Sequence, residues 1–156
     1  MQPSSKPKPT PTAAAKWWHE GVRFECQGSG RCCVSRGQYG FVYVTIEDRR
    51  ALAKLLKIST AAFTRKYCEK KEEGIWKLRD FNENCRFLDG KMCGVYEARP
   101  VQCRTWPWWP EVMGAKAWAR EVAAYCPGVG KGPLRTREEI ELNLNAQKKS
   151  EEGYGT

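Results

Sequence analysis

Seven cysteines in two groups are the residues here whose type and spacing could do chemistry. Cys26, Cys32 and Cys33 fall within the loop Cys26-Gln27-Gly28-Ser29-Gly30-Arg31-Cys32-Cys33, and Cys85, Cys93, Cys103 and Cys126 follow in the second half; Cys68, the eighth, stands apart. Soft thiolates in such number select zinc, copper(I) or iron–sulfur clusters. A tetrahedral metal takes about four ligands, so seven candidates exceed one shell. They fit either two metals sharing a bridging thiolate, or four cluster ligands with three cysteines left over. Adjacent side chains diverge in a strand or helix, so Cys32 and Cys33 are poorly suited to act as equivalent ligands of one ion. Two metals or one cluster suits the pair better. The bland alternative is that several of these thiols are small buried hydrophobes, a common use of free cysteine, and that is the reading given to Cys68.

Other residues take supporting roles. Arg99 and Arg104 flank Cys103, and Arg31 and Arg86 adjoin other cysteines. Basic neighbours lower thiol pKa and offset the negative charge of a thiolate cluster. The run Trp106-Pro107-Trp108-Trp109-Pro110 is read as shielding and packing, with Trp106 next to the candidate site, where apolar groups set the dielectric around a metal. His19, the one histidine of the chain, is read as a packing or surface residue.

The cysteine segments also carry a family resemblance. Phe24-Glu25-Cys26, then Gly30-Arg31-Cys32-Cys33, are followed by Cys85-Arg86-Phe87-Leu88, by Cys93-Gly94-Val95-Tyr96-Glu97-Ala98-Arg99-Pro100, and by Cys103-Arg104-Thr105-Trp106-Pro107. This ordered series resembles the YkgJ-type cysteine-cluster family, a bacterial group of zinc- or iron-chelating domains named for a CxxCxxCC motif. Cys126-Pro127-Gly128 looks like the family's late cysteine. Ser29 stands where the second motif cysteine would be, so the family's full ligand set does not carry over. The resemblance implies metal chelation and leaves open the metal, zinc or iron, and its form: mononuclear, dinuclear or an iron–sulfur cluster.

The elements that must position these residues can be read locally. Residues 1–16, MQPSSKPKPTPTAAAK, are Pro-rich and lack the apolar core of a secretory signal; a disordered tail on a cytoplasmic chain is expected. Residues 17–133 form the expected metal-binding domain and 134–156 a C-terminal helix and tail. Thr45 with Asp48 three residues on resembles a capping box, predicting a helix over 46–57. Ser59 or Thr60 caps a second, to about residue 70, burying Phe63 and Tyr67. Residues 74–81 alternate as a strand, and Asp89-Gly90 is a hairpin turn that draws Cys85 and Cys93 together. Prolines make 96–110 an irregular connection, 118–125 could be strand or helix, and Thr136 with Glu139 opens a polar helix over 134–152. The expected fold class is α+β: a small, irregular, metal-organised single domain with short strands and several helices.

Composition narrows the functional classes. The chain is 41% hydrophobic with a net charge of +9, and no apolar run approaches the roughly 20 residues of a membrane span. Part of the basic excess lies in the tail lysines at 6, 8 and 16, and the spacing of a C2H2 finger is missing, which argues against a nucleic-acid module; a further part is read as counter-charge to a thiolate site. Phosphate-binding and Ser-His-Asp signatures are missing too. No general-base histidine accompanies the cluster, so metal binding without catalysis is favoured over an iron–sulfur or di-iron redox enzyme or electron carrier. The partner implied is a metal ion; the sequence names no protein partner.

Overall fold

The computed structural model describes residues 16–29, 41–79, 85, 87–90 and 92–156. The tail at 1–15, the vicinal pair Cys32 and Cys33, and Arg31 and Arg86 lie outside them. Among the described residues the fold is α+β, with short antiparallel strand pairs and helices around two apolar clusters.

One cluster is built by residues distant in sequence. Strand β1 (Val22–Phe24) pairs antiparallel with β6 (Val129–Arg135), with a register shift between Arg23 and Phe24. Beneath this pair lie Phe24, Trp108 and Trp118, with Val122 from the same segment and Ile140 and Leu144 from helix α5 (Arg137–Glu152). Trp108 stacks on Trp118 at 5.4 Å between ring centroids, and Phe24 meets Trp108 edge-on at 5.7 Å. These are the offset and edge-to-face arrangements that the ring quadrupole favours. The segment read as strand or helix is helical: α4 (Ala115–Ala117) runs into a π-helical stretch, Trp118–Ala123, which stops just before Cys126-Pro127.

The other cluster joins helix α1 (Ile46–Leu55) and α2 (Thr60–Tyr67) to the hairpin of β2 (Cys68–Lys70) and β3 (Trp76–Leu78). Leu52 and Phe63 are fully buried in it, beside Val44 and Cys68. Residues 42–44 lie along β3, with Val44 donating to the Trp76 carbonyl and Leu78 to that of Val42. Both predicted capping boxes form: Thr45 and Asp48 exchange side-chain bonds at the start of α1, as do Thr136 and Glu139 at α5. The second helix is shorter than expected, because at Cys68 the backbone turns extended (φ −119°, ψ 155°) and enters the hairpin.

Strands β4 (Leu88–Asp89) and β5 (Met92–Cys93) form the predicted hairpin around Gly90, at φ +62°. The segment 96–110 corrects the expectation of an irregular connection. It holds a 3-10 turn, Tyr96–Ala98, and a short helix α3 (Val101–Thr105) with Pro100 at its N-cap. Proline suits such a start because the first N–H groups of a helix have no partner inside it.

The aromatic stack makes the first cluster intolerant of truncation. Trp118→Ala removes the ring sandwiched between Trp17 and Trp108 and is expected to cost about 3–5 kcal/mol, measured by urea unfolding. A loss within 1 kcal/mol would contradict this packing.

Candidate metal centre

Cys26 follows β1 directly, is exposed, and its Sγ accepts from the Gly28 N–H at 3.5 Å. Two contacts fix the course of its loop. Glu25 donates to the Gly128 carbonyl at 3.2 Å, extending the β1–β6 pairing beyond Phe24 towards Cys126-Pro127. A Cβ at Gly128 would collide with the Glu25 carbonyl oxygen and lie 3.0 Å from the Phe24 ring, so only glycine permits this approach. On the other side Gly28, at φ +64°, faces β5: a Cβ there would sit 3.5 Å from Met92 Sδ. The Cys26 loop is thereby seated between the segment that carries Cys126 and the hairpin that carries Cys93.

Cys85, Cys93, Cys103 and Cys126 are half-buried. The Cys85 carbonyl accepts from Leu88 N–H at 3.0 Å at the entrance to the hairpin. Cys93 pairs with Leu88 across it and packs against the cluster of Leu52 and Phe63. Cys103 lies in α3 and donates its N–H to the Pro100 carbonyl at 2.9 Å. Cys126 donates to the Val122 carbonyl at 2.8 Å and packs against the tryptophan cluster. Cys126 and Cys93 therefore lie on the margins of the two cores, one on each. Among the described residues no three side chains of His, Cys, Asp or Glu form a group that could hold a metal ion. The donor chemistry itself suits zinc or iron, since thiol sulfur is what both take in closed protein sites.

The supporting residues separate. Trp106 meets Trp109 edge-on at 4.7 Å and borders the tryptophan cluster. Arg99 stacks its guanidinium 3.7 Å above the Tyr96 ring and donates Nε to the Tyr96 carbonyl. Arg104 is exposed on α3, and Ser29 is half-buried at the end of the described Cys26 loop. His19 lies beside α5, with Arg137 Nη1 3.0 Å from its Nδ1. Cys68 is 1% exposed, and burial pushes its thiol up to about 11, against the opposing pull of Arg49 and Arg79. The sequence reading missed Asp48 and Gln102 as supports of the cysteine-bearing segments. Asp48 showed only its capping signal, whereas its Oδ1 also accepts from Val101 N–H, 53 positions away, at the start of α3.

Comparison with known proteins bears on these segments. The CxxCxxCC family, described as "Putative zinc- or iron-chelating domain", matches residues 25–127. Two uncharacterized proteins of Methanocaldococcus jannaschii are similar. One is 27% identical over 124 residues, covering 76% of this chain and 65% of its own length. The other is 24% identical over 131 residues, covering 79% of this chain and 44% of its own. The chain thus spans less than two thirds of either relative. No solved structure matches.

Cys68 provides a control for any experiment on the other cysteines. Cys68→Ser would bury a hydroxyl in an apolar cluster and is expected to cost about 1–3 kcal/mol in urea unfolding. The raised pKa also sets a pH dependence: the folded thiol keeps its proton towards pH 11, whereas in the unfolded chain it is lost near its ordinary value of 9.0. Stability contributed by the protonated thiol is complete below about pH 9 and falls as pH rises through that window. Cys68→Ala should flatten this part of the pH–stability curve; an unchanged slope would contradict the assignment.

Proposed function

The chain belongs to the CxxCxxCC family, and from that premise we propose that it holds zinc or iron through cysteine thiolates drawn from Cys26, Cys32, Cys33, Cys85, Cys93, Cys103 and Cys126. The observation that carries the reading is the seating of the Cys26 loop. The Glu25–Gly128 hydrogen bond directs it towards Cys126, and the Gly28–Met92 contact sets it against the hairpin of Cys93. Segments more than sixty positions away in sequence therefore border the same loop. Cys32 and Cys33 would continue the donor set four residues and more beyond Gly28.

The chain's own residues supply the ligands and the surroundings. The Gly28 N–H on Cys26 Sγ is the kind of contact that would hold a ligating sulfur in place. The tryptophan cluster bordering Cys126 and the apolar cluster bordering Cys93 would keep the centre's inner side dry, and arginines nearby would balance its charge. A bound metal would link these segments, so its binding energy would add to folding stability. We read the role as holding the metal rather than catalysis, in keeping with an apolar, thiol-only donor set. Ser29 replaces one family thiol and leaves the shell to the remaining cysteines.

Anaerobic purification with elemental analysis and visible spectroscopy tests this. Stoichiometric zinc in a colourless protein, or iron in a coloured one, would support it and decide the metal. Cys32→Ser and Cys33→Ser should each lose metal or solubility, while Ser29→Cys keeps the metal and holds it at least as tightly. Chelation should lower the urea midpoint of the wild type. Purified protein without metal, or apo and holo unfolding curves that coincide, would overturn the proposal.

A further inference from the structure

Helix α3 is five residues long, too short to hold a helical shape on its own, yet it carries Cys103. Its position comes from buried polar side chains, and Gln102, the residue just before that cysteine, is the most fully engaged. It is 7% exposed. Its Nε2 donates to the Phe41 carbonyl at 2.7 Å and its Oε1 accepts from Tyr43 N–H at 2.9 Å, so one amide satisfies two backbone groups some sixty positions away. Its own carbonyl accepts from Trp109 Nε1 at 2.9 Å. On the preceding residue, Val101 N–H reaches Asp48 Oδ1 at 3.1 Å. The turn before Cys103 is thus held from three sides by hydrogen bonds to groups outside α3, while Cys103 itself is half-buried.

An amide here does what an apolar side chain of equal size would not. It fixes the turn along and around its axis against the 41–44 segment, because both bonds run to backbone and their geometry is directional. Groups that orient a metal ligand in this way commonly change metal affinity by about 10–100-fold when removed. We propose that Gln102 is a positioning residue for metal ligation by Cys103, an inference that rests on the thiolate–metal reading above.

The experiment measures the rate of zinc transfer from the zinc-loaded full chain to a chromogenic chelator. It compares the wild type with Gln102→Met, an apolar near-isostere, and Gln102→Asn, too short to reach both backbone groups. Ser59→Ala, which removes the exposed N-cap of α2, serves as a variant destabilised without touching α3, and each is also made in a Cys103→Ser background. Zinc release should be about tenfold or more faster in Gln102→Met and faster in Gln102→Asn, and unchanged in Ser59→Ala. With Cys103→Ser the Gln102 effect should vanish, since the two changes act through one ligand. Wild-type release rates in both Gln102 variants, an equal acceleration by Ser59→Ala, or an undiminished effect with Cys103→Ser would overturn the inference while leaving the metal reading in place. A wild type that holds no metal would overturn both. If Gln102→Met does not fold, Gln102→Asn decides.

Discussion

Glu25 donates its N–H to the Gly128 carbonyl at 3.2 Å, and this contact joins the beginning of the described chain to a point near its end. From it follow the pairing of β1 with β6 and the direction of the Cys26 loop. The placement of α5 over the tryptophan cluster follows as well, because β6 leads directly into that helix. The steric condition is severe: backbone must lie against backbone where any Cβ at position 128 would collide. A long-range pair of this kind costs loop-closure entropy before it returns any stability. The apolar surface buried by Trp108, Trp118, Ile140 and Leu144 offsets that cost.

The two apolar clusters are joined by hydrogen bonds rather than by more apolar surface. Asp48 closes the capping box of α1 with Oδ2 and reaches α3 with Oδ1. Thr105 donates to Gln147 Oε1 on α5, and Gln147 Nε2 reaches the Tyr154 hydroxyl. Buried polar groups are costly unless paired and directional when they are, so this network sets the orientation of α3 between the cores. Burial pushes the Tyr154 phenol up to about 12, which keeps it a neutral partner in the network. The cysteine-bearing segments consequently hang on the edges of a scaffold whose two cores are apolar in their own right.

Much of this was legible in the residues. The capping boxes at Thr45 and Thr136 and the Asp89-Gly90 turn were readable because each is completed within four residues of itself. The cysteine series was readable as a family pattern for a different reason: ligand type and spacing are properties of the chain alone. What escaped was decided at a distance. Strand β6 has two glycines and a proline in the run Val129–Arg135 and is mostly exposed, so nothing in its own composition marks a strand; β1 makes it one. Cys68 ends a helix because Leu78 is there to pair with it. The prolines around α3 spoke for irregular chain, yet Pro100 serves as its N-cap and Asp48 receives its first N–H.

The sequence by itself determined the donor chemistry, the local caps and turns, and the apolar residues that must be buried. Those depend on side-chain type and on neighbours three or four positions away. Only the tertiary structure decided which segments border one another: Glu25 against Gly128, Gly28 facing Met92 of the Cys93 hairpin, His19 at Arg137, Cys68 within a core, and Gln102 bracing the turn of Cys103. Those outcomes depend on backbone approaches and hydrogen bonds between residues ten to more than a hundred positions apart. No local pattern encodes such contacts, because the groups that satisfy them become neighbours only once the chain has folded.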